Sequence, residues 1–187
     1  MGGDEPKTNQ TAVLVIDAQV GLVEGTRPIY RKEETLDRIQ DVLAKARNAD
    51  IPVLYVQDVD VAPVGTPEFA VHPSIAPLDG ELSVHKKSTD AFYGTDLHER
   101  LQALGVNHLV ITGFKTEYCV DSACRRATTL GYFVTLVQDA HSTTDNKVLS
   151  AEQIVAHHNC NLHGLDNLEH YIVVVPSDEL QFESKFY

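Results

Sequence analysis

The sequence predicts a doubly wound α/β fold, a mostly parallel six-stranded sheet with helices on both faces, and three observations carry that prediction. Short runs of β-branched and aliphatic residues recur along the chain, beginning with Thr11 to Asp17, and read as strands buried on both faces. Segments of helical spacing alternate with them at about 30 residues per unit, which implies right-handed crossovers between parallel strands. Gly105 and Gly131 fall where two of those helices should stop, just ahead of the next strand.

The elements follow in order. The opening strand, Thr11 to Asp17, ends in a carboxylate. From Lys32 to Ala49, the residues Leu36, Ile39, Leu43 and Ala46 recur three or four apart among charges and form one face of a helix. Pro52 to Gln57 is a second strand. Pro63 to Pro77 holds four prolines, which exclude a long helix and point to an irregular loop. Glu81 to Lys86 is a third, short strand, after which Thr95 can cap a helix carrying Leu97, Leu101 and Leu104 on one face. His108 to Thr112 is the fourth strand, Glu117 to Leu130 a helix, Tyr132 to Gln138 the fifth strand, Ser150 to Leu162 a helix and Tyr171 to Val175 the sixth strand. No internal repeat or low-complexity segment interrupts this order.

The chain of 187 residues and 20.6 kDa suits one domain, with residues 1–10 and the other terminus expected to be loose. Its 27 acidic and 15 basic residues give a formal charge of -12, which repels nucleic acid and anionic membrane surfaces, so neither is an expected partner. The longest apolar stretches, Thr11 to Ile16 and Tyr171 to Val175, fall far short of the roughly 20 residues that span a bilayer. Met1 to Gln10 is polar and acidic, without the pattern of a secretion signal, so a cytoplasmic location is expected. Cys119, Cys124 and Cys160 are odd in number and lack a close pair, which favours reduced thiols over a disulfide framework.

In doubly wound sheets reactive groups collect beyond the carboxyl ends of the strands. Asp17 follows the first strand, Lys86 ends the third, and the turn from Gly113 to Tyr118 delivers Cys119 at the start of a helix. A thiol there meets unpaired N–H groups and the positive end of the helix dipole, which favour thiolate, and a nearby ammonium adds to that effect. Asp17 could take the thiol proton and return it to a leaving amine. Main-chain N–H groups of the turn, those of Lys115, Tyr118 and Cys119, are placed to receive an oxyanion. Each residue also has an ordinary explanation. A strand-terminal aspartate is often a cap, Lys86 and Lys87 can be solvated charges, and cysteine is commonly buried as a small hydrophobe.

Several segments together resemble the isochorismatase-like cysteine hydrolases. Thr11 to Gln19, TAVLVIDAQ, looks like the opening strand of that family. Lys86 to Leu97, KKSTDAFYGTDL, is similar to a family segment in which a lysine precedes the Phe by six residues, a spacing that Lys86 fits and Lys87 does not. Gly113 to Val120, GFKTEYCV, resembles the nucleophile loop, and Gly131 to Ala140 the strand that follows. The resemblance covers about Thr11 to Ala140 in one order. It implies Cys119 as nucleophile, Asp17 as base, Lys86 as electrostatic partner, a cis peptide between Phe114 and Lys115, and a dimer or tetramer. The sequence departs from the metal-binding nicotinamidases of the group, because Asp58 and Asp60 are followed by no histidine until His72. No metal or other cofactor is therefore expected, and the chain is closer to metal-free members, including those similar to streptothricin hydrolase.

Gln19, Phe92 and Tyr93 could line a substrate pocket, although core packing explains Phe92 equally well. His72, His141, His157 and His158 are assigned mostly to surface or interface positions, and the adjacent pair on a helix points about 100° apart. Cys124, five positions beyond Cys119, should face away from the reaction.

These readings converge on hydrolysis of a small-molecule amide, lactam or ureide through an acyl-enzyme on Cys119. Vinyl ether cleavage, as of isochorismate, and a non-catalytic binding or scaffold role on the same shell are the competing readings. A dinucleotide-dependent oxidoreductase is set aside because the turn after Asp17 lacks G-x-G-x-x-G.

Overall fold

The computed structural model describes residues 10–182, so most of the tail expected to be loose lies outside the described residues. In chain order the elements are β1 (Thr11–Ile16), α1 (Val20–Val23), α2 (Lys32–Asn48), β2 (Val53–Asp58), β3 (Leu82–Lys86), α3 (Leu97–Ala103), β4 (His108–Phe114), α4 (Asp121–Thr129), β5 (Phe133–Ser142), α5 (Ala151–Leu162), β6 (Asp166–Asn167) and β7 (His170–Val175). The sheet order is β3-β2-β1-β4-β5-β7-β6. Every neighbouring pair from β3 to β7 is parallel, and β6 adds two antiparallel residues to the β7 edge. Six parallel strands match the sequence expectation; the seventh is too short to show any alternation of its own.

The chain winds outward from β1 to β3, then crosses back to place β4 on the other side of β1. Strand order reverses between β1 and β4, which opens a crevice at their carboxyl ends. Alternation along β1 sends Val13 and Val15 to one face and Leu14 and Ile16 to the other. The first pair packs with Ile39, Val42, Leu43 and Ala46 of α2, the second with Leu97, Leu101, Ala123 and Ala127 of α3 and α4. Two apolar layers thus clamp the sheet and leave only its ends for chemistry.

The helices are anchored by local electrostatics. α2 carries Glu33 and Glu34 in its first turn and Lys45 and Arg47 in its last, matching its dipole. α5 starts from a capping box in which the Ser150 side chain accepts from Gln153 N–H and the Gln153 side chain accepts from Ser150 N–H. α3 meets expectation in part. Asp96 occupies its N-cap position without a side-chain cap bond, Thr95 Oγ1 accepts from Leu97 N–H at 3.4 Å as expected of a cap while donating to the Ala91 carbonyl at 2.7 Å, and Leu104 sits past the last turn, 39% exposed.

β5 runs past Gln138 to Ser142. Its pairing with β4 passes from Ile111 and Leu136 to Gly113 and His141, a register shift that bulges β5 and returns its end to β4. The Pro63 to Pro77 loop is irregular apart from a 3₁₀ turn at Pro73–Ile75, and Val20 and Gly21 donate to the carbonyls of Ala70 and Glu68. Among the described residues no helix is long and apolar enough to cross a membrane. All three cysteines are free thiols.

Candidate active site

Four strand ends build the site. Asp17 follows β1 with a left-handed φ of 47°, Asp58 is the last residue of β2, and Lys86 ends β3 as the register partner of Asp58. After β4 a cis peptide joins Phe114 and Lys115, and Thr116–Val120 forms a single π-helical turn that carries Cys119 into α4. The continuous helix expected from Glu117 is therefore two pieces, a wide turn followed by α4. Gly113 sets the approach of the strands. Its φ is 119°, and a Cβ there would stand 2.0 Å from the Ile16 carbonyl oxygen, so only glycine lets the end of β4 lie against the end of β1.

These ends bring three expected residues and one unexpected residue together. Lys86 Nζ lies 2.9 Å from Asp17 Oδ2, 2.5 Å from Asp58 Oδ2 and 3.3 Å from Cys119 Sγ. Asp17 and Lys86 are almost wholly excluded from solvent, and Cys119 is buried. Asp17 Oδ1 is buried without a hydrogen-bond partner, and a carboxylate oxygen of Asp17 lies within 4.8 Å of the sulfur. A cleft of about 240 Å³ opens over the group, lined by Asp17, Asp58, Asp60, Val61, Lys115 and Cys119 among others. Asp58 ends β2 as Asp17 follows β1, so the same strand-end argument reaches it.

Burial governs the proton affinities. Desolvation raises Asp17 to about 6, with the Lys86 charge pulling the other way. Burial opposes the charge on Lys86, yet Asp17, Asp58 and the Cys119 sulfur outweigh it and raise its proton affinity. The Cys119 thiol is pushed up to about 12, first by burial and then by the Asp17 carboxylate. The pull toward thiolate expected of the helix start and the ammonium is therefore outweighed. The pull of Lys86 is present, but desolvation and a neighbouring anion exceed it, so the resting sulfur carries its proton.

Other expected roles change on geometric grounds. Tyr118 N–H donates to the Lys115 carbonyl at 3.2 Å and is no longer free for an oxyanion; the N–H groups of Lys115 and Cys119 are not drawn into that bond. Gln19 does not line the cleft. It is fully buried, its Nε2 donates to the Asp58 carbonyl at 3.1 Å, and its Oε1 accepts from Asp58 N–H at 2.7 Å, so it fastens the end of β2. Phe92 stacks on Tyr132 in the core with ring centroids 6.1 Å apart, and Tyr93 is 74% exposed without lining the cleft. Cys124 is fully buried in the core beneath α4.

His141, assigned to the surface or an interface, is instead buried under the nucleophile turn. Asn159 Nδ2 donates to the Gln138 carbonyl, which leaves Asn159 Oδ1 to accept from His141 Nε2–H at 2.9 Å. His141 Nδ1 then accepts the Thr116 hydroxyl at 2.9 Å, tying the turn to α5. Burial lowers this imidazole to about 4, so it is neutral. His72 bonds Ser74 and Glu24 near the loop, away from the triad cleft.

Among the described residues, Asp17, Asp58 and Cys119 form the one group whose candidate metal-ligand atoms gather within 4.8 Å. The Lys86 ammonium contacts all three, so the position a cation would occupy among them already holds a positive charge.

Comparison with known proteins bears on the same residues. A sequence model described as the isochorismatase domain matches residues 11–159, from the first strand through the triad and into α5. The chain belongs to the isochorismatase family. Streptothricin hydrolase of Streptomyces noursei is 37% identical over 139 residues, covering 72% of this chain and 50% of that protein, so the chain spans half the length of that relative. Ureidoacrylate amidohydrolase RutB of Caulobacter vibrioides is 27% identical over 176 residues, covering 73% of this chain and 77% of that protein. The crystal structure of an isochorismatase from Pseudomonas putida KT2440 superposes with a TM-score of 0.81 at 29% identity, over 95% of this chain and 94% of that one. The chain's three-layer α/β fold is the family fold.

Proposed function

We propose that this isochorismatase-family protein is a hydrolase that cleaves a carbon–nitrogen bond of amide, lactam or ureide type in a small molecule, through a covalent thioester on Cys119. The observation that carries the reading is the contact of one buried ammonium, Lys86, with both Asp17 and the Cys119 sulfur. Attack begins as the thiol proton passes to Asp17, whose unpartnered Oδ1 is a ready acceptor. Sulfur bonds to the carbonyl carbon while Lys86 offsets the charge growing on it. The carbonyl oxygen becomes an oxyanion received by the N–H groups of Lys115 and Cys119. Collapse breaks the C–N bond, and Asp17 returns its proton to the departing nitrogen. Water then attacks the thioester, again giving a proton to Asp17, and the released carboxylic acid leaves the thiol restored.

The raised proton affinity of Asp17 supports this assignment, because a carboxylate at about 6 holds a proton more firmly than an ordinary aspartate yet is ionised at neutral pH. The relative named an amidohydrolase supports the bond class. The decisive experiment is a screen of small amides, lactams and ureides for amine or ammonia release, with intact-mass detection of an acyl adduct. Turnover and the adduct should both vanish in Cys119→Ala. Full activity in that variant would reject the scheme.

A further inference from the structure

We propose that the substrate carries a carboxylate, received by Lys115 Nζ and Arg27 in a cavity that adjoins the triad cleft; this rests on Cys119 being the hydrolytic nucleophile. Lys115 lines both the cleft over Cys119 and an adjoining cavity of about 270 Å³, which Arg27 and Thr144 also line. Leu22 and Val61 are likewise shared, so the two spaces adjoin along an apolar wall, with Lys115 between them.

The charges along that wall are sorted. Asp58 and Asp60 line only the triad end, and Arg27 lines only the adjoining end. Among the described residues every arginine but Arg27 stands beside a carboxylate, as Arg47 does with Glu81 and Arg125 with Asp121. Among the described residues, neither Lys115 nor Arg27 has a carboxylate within ion-pair distance. Lys115 Nζ is steadied instead by the Thr144 hydroxyl at 3.3 Å. Asp145 lies beyond Arg27, where its Oδ1 accepts from Ala151 N–H at 2.7 Å at the start of α5.

In a chain of formal charge -12, two unpaired cations lining one cavity are a specific departure from the surrounding field. A carboxylate satisfies both, as a point contact for the ammonium and a fork for the guanidinium. The same sorting orients the substrate. Its anionic end points past Lys115 toward Arg27, and its nitrogen leaves on the side of Asp17. The Lys115 N–H is an expected oxyanion donor, so one residue would fix the carbonyl with its main chain and the carboxylate with its side chain.

The test compares dicarboxylic acid monoamides, from malonamate to adipamate, with their neutral methyl esters. At one chain length the monoamide should exceed its ester at least tenfold in kcat/KM. Lys115→Met, which keeps the main-chain N–H, should remove that preference by raising KM for the monoamide and not for its ester, and Arg27→Gln should reduce it. A second measurement needs no turnover. The matching dicarboxylates should slow iodoacetamide alkylation of Cys119 relative to exposed Cys160, and the matching diamides should not. Equal protection by both series, or by neither, overturns the anion subsite even if amides are hydrolysed. Anion-selective protection without hydrolysis of any amide removes the hydrolytic reading and leaves the subsite standing.

Discussion

Lys86 Nζ lies closer to Asp58 Oδ2, at 2.5 Å, than to Asp17 Oδ2, at 2.9 Å. The ammonium is therefore shared between two carboxylates, and the Asp58 main chain is itself pinned at both polar groups by Gln19. Asp58 acts through Lys86 as a positioning residue. Asp58→Asn replaces a charge-assisted hydrogen bond by a neutral one, a loss of about 1–1.5 kcal/mol that should lower kcat/KM roughly 5–10-fold. Because the Asp58 charge helps to raise Asp17, the acid limb of the pH profile should also move to lower pH. An unchanged rate and profile would make Asp58 a bystander.

The pH dependence of the normal enzyme follows from the same groups. Asp17 must be ionised to accept the thiol proton, so kcat/KM should rise through about pH 6 and then level. No thiol limb should follow below pH 9, because the Cys119 thiol is held up at about 12 and loses its proton only to Asp17 during attack. A limb near the ordinary thiol value, measured with a substrate that does not itself titrate, would show that a free thiolate is the attacking species.

Gly113 offers a structural test. An added Cβ would stand 2.0 Å from the Ile16 carbonyl oxygen and 2.7 Å from the Ile16 nitrogen, both main-chain atoms of a buried strand. Gly113→Ala should destabilise the fold by more than about 3 kcal/mol, well above an ordinary substitution, and separate Cys119 from Asp17 in whatever protein still folds. Chemical denaturation beside thiol labelling would detect both effects. A variant of normal stability would mean that β1 and β4 can part without loss.

Two imidazoles, the buried His141 and the half-buried His108, make the fold acid-sensitive. Burial lowers His108 and His141 to about 4 from 6.5, so they remain neutral where the unfolded chain takes up protons. Their contribution is fully present above about pH 6.5 and is lost as pH falls toward 4, with a slope of at most about 2.7 kcal/mol per pH unit for two protons. Asp17 acts in the opposite sense, since its raised proton affinity favours the fold as pH drops through about 6. His108→Gln can still bond Thr11 and Thr135, which flank the ring at 2.9 Å, and should flatten the fall in stability between pH 6.5 and 4.5. Denaturation midpoints across that range decide the point.

The parallel sheet was legible because its strands are buried on both faces and spell continuous apolar runs, as in Thr11 to Ile16. The gathering of Asp17, Lys86 and Cys119 was legible too, because strand ends in such a sheet share one rim. The proton affinity of the sulfur was not. It depends on how deeply three groups are buried together, and no spacing reports that depth. Gln19 and Phe92 misled for a related reason, since the sequence places them near the rim without saying which way they turn. His141 was hidden because the bulge that returns the end of β5 to β4 leaves no mark in the apolar pattern.

Before the thiol proton moves, the buried group holds two anions, one cation and a neutral thiol. Afterwards it holds a neutral acid, a sulfur bearing the charge, the second anion and the same cation. The total is unaltered, so making the nucleophile relocates charge over a few ångströms without drawing an ion across the protein boundary. Chemistry of this kind needs no help from surrounding electrolyte, and the rate of acyl transfer from a neutral amide should hardly respond to added salt.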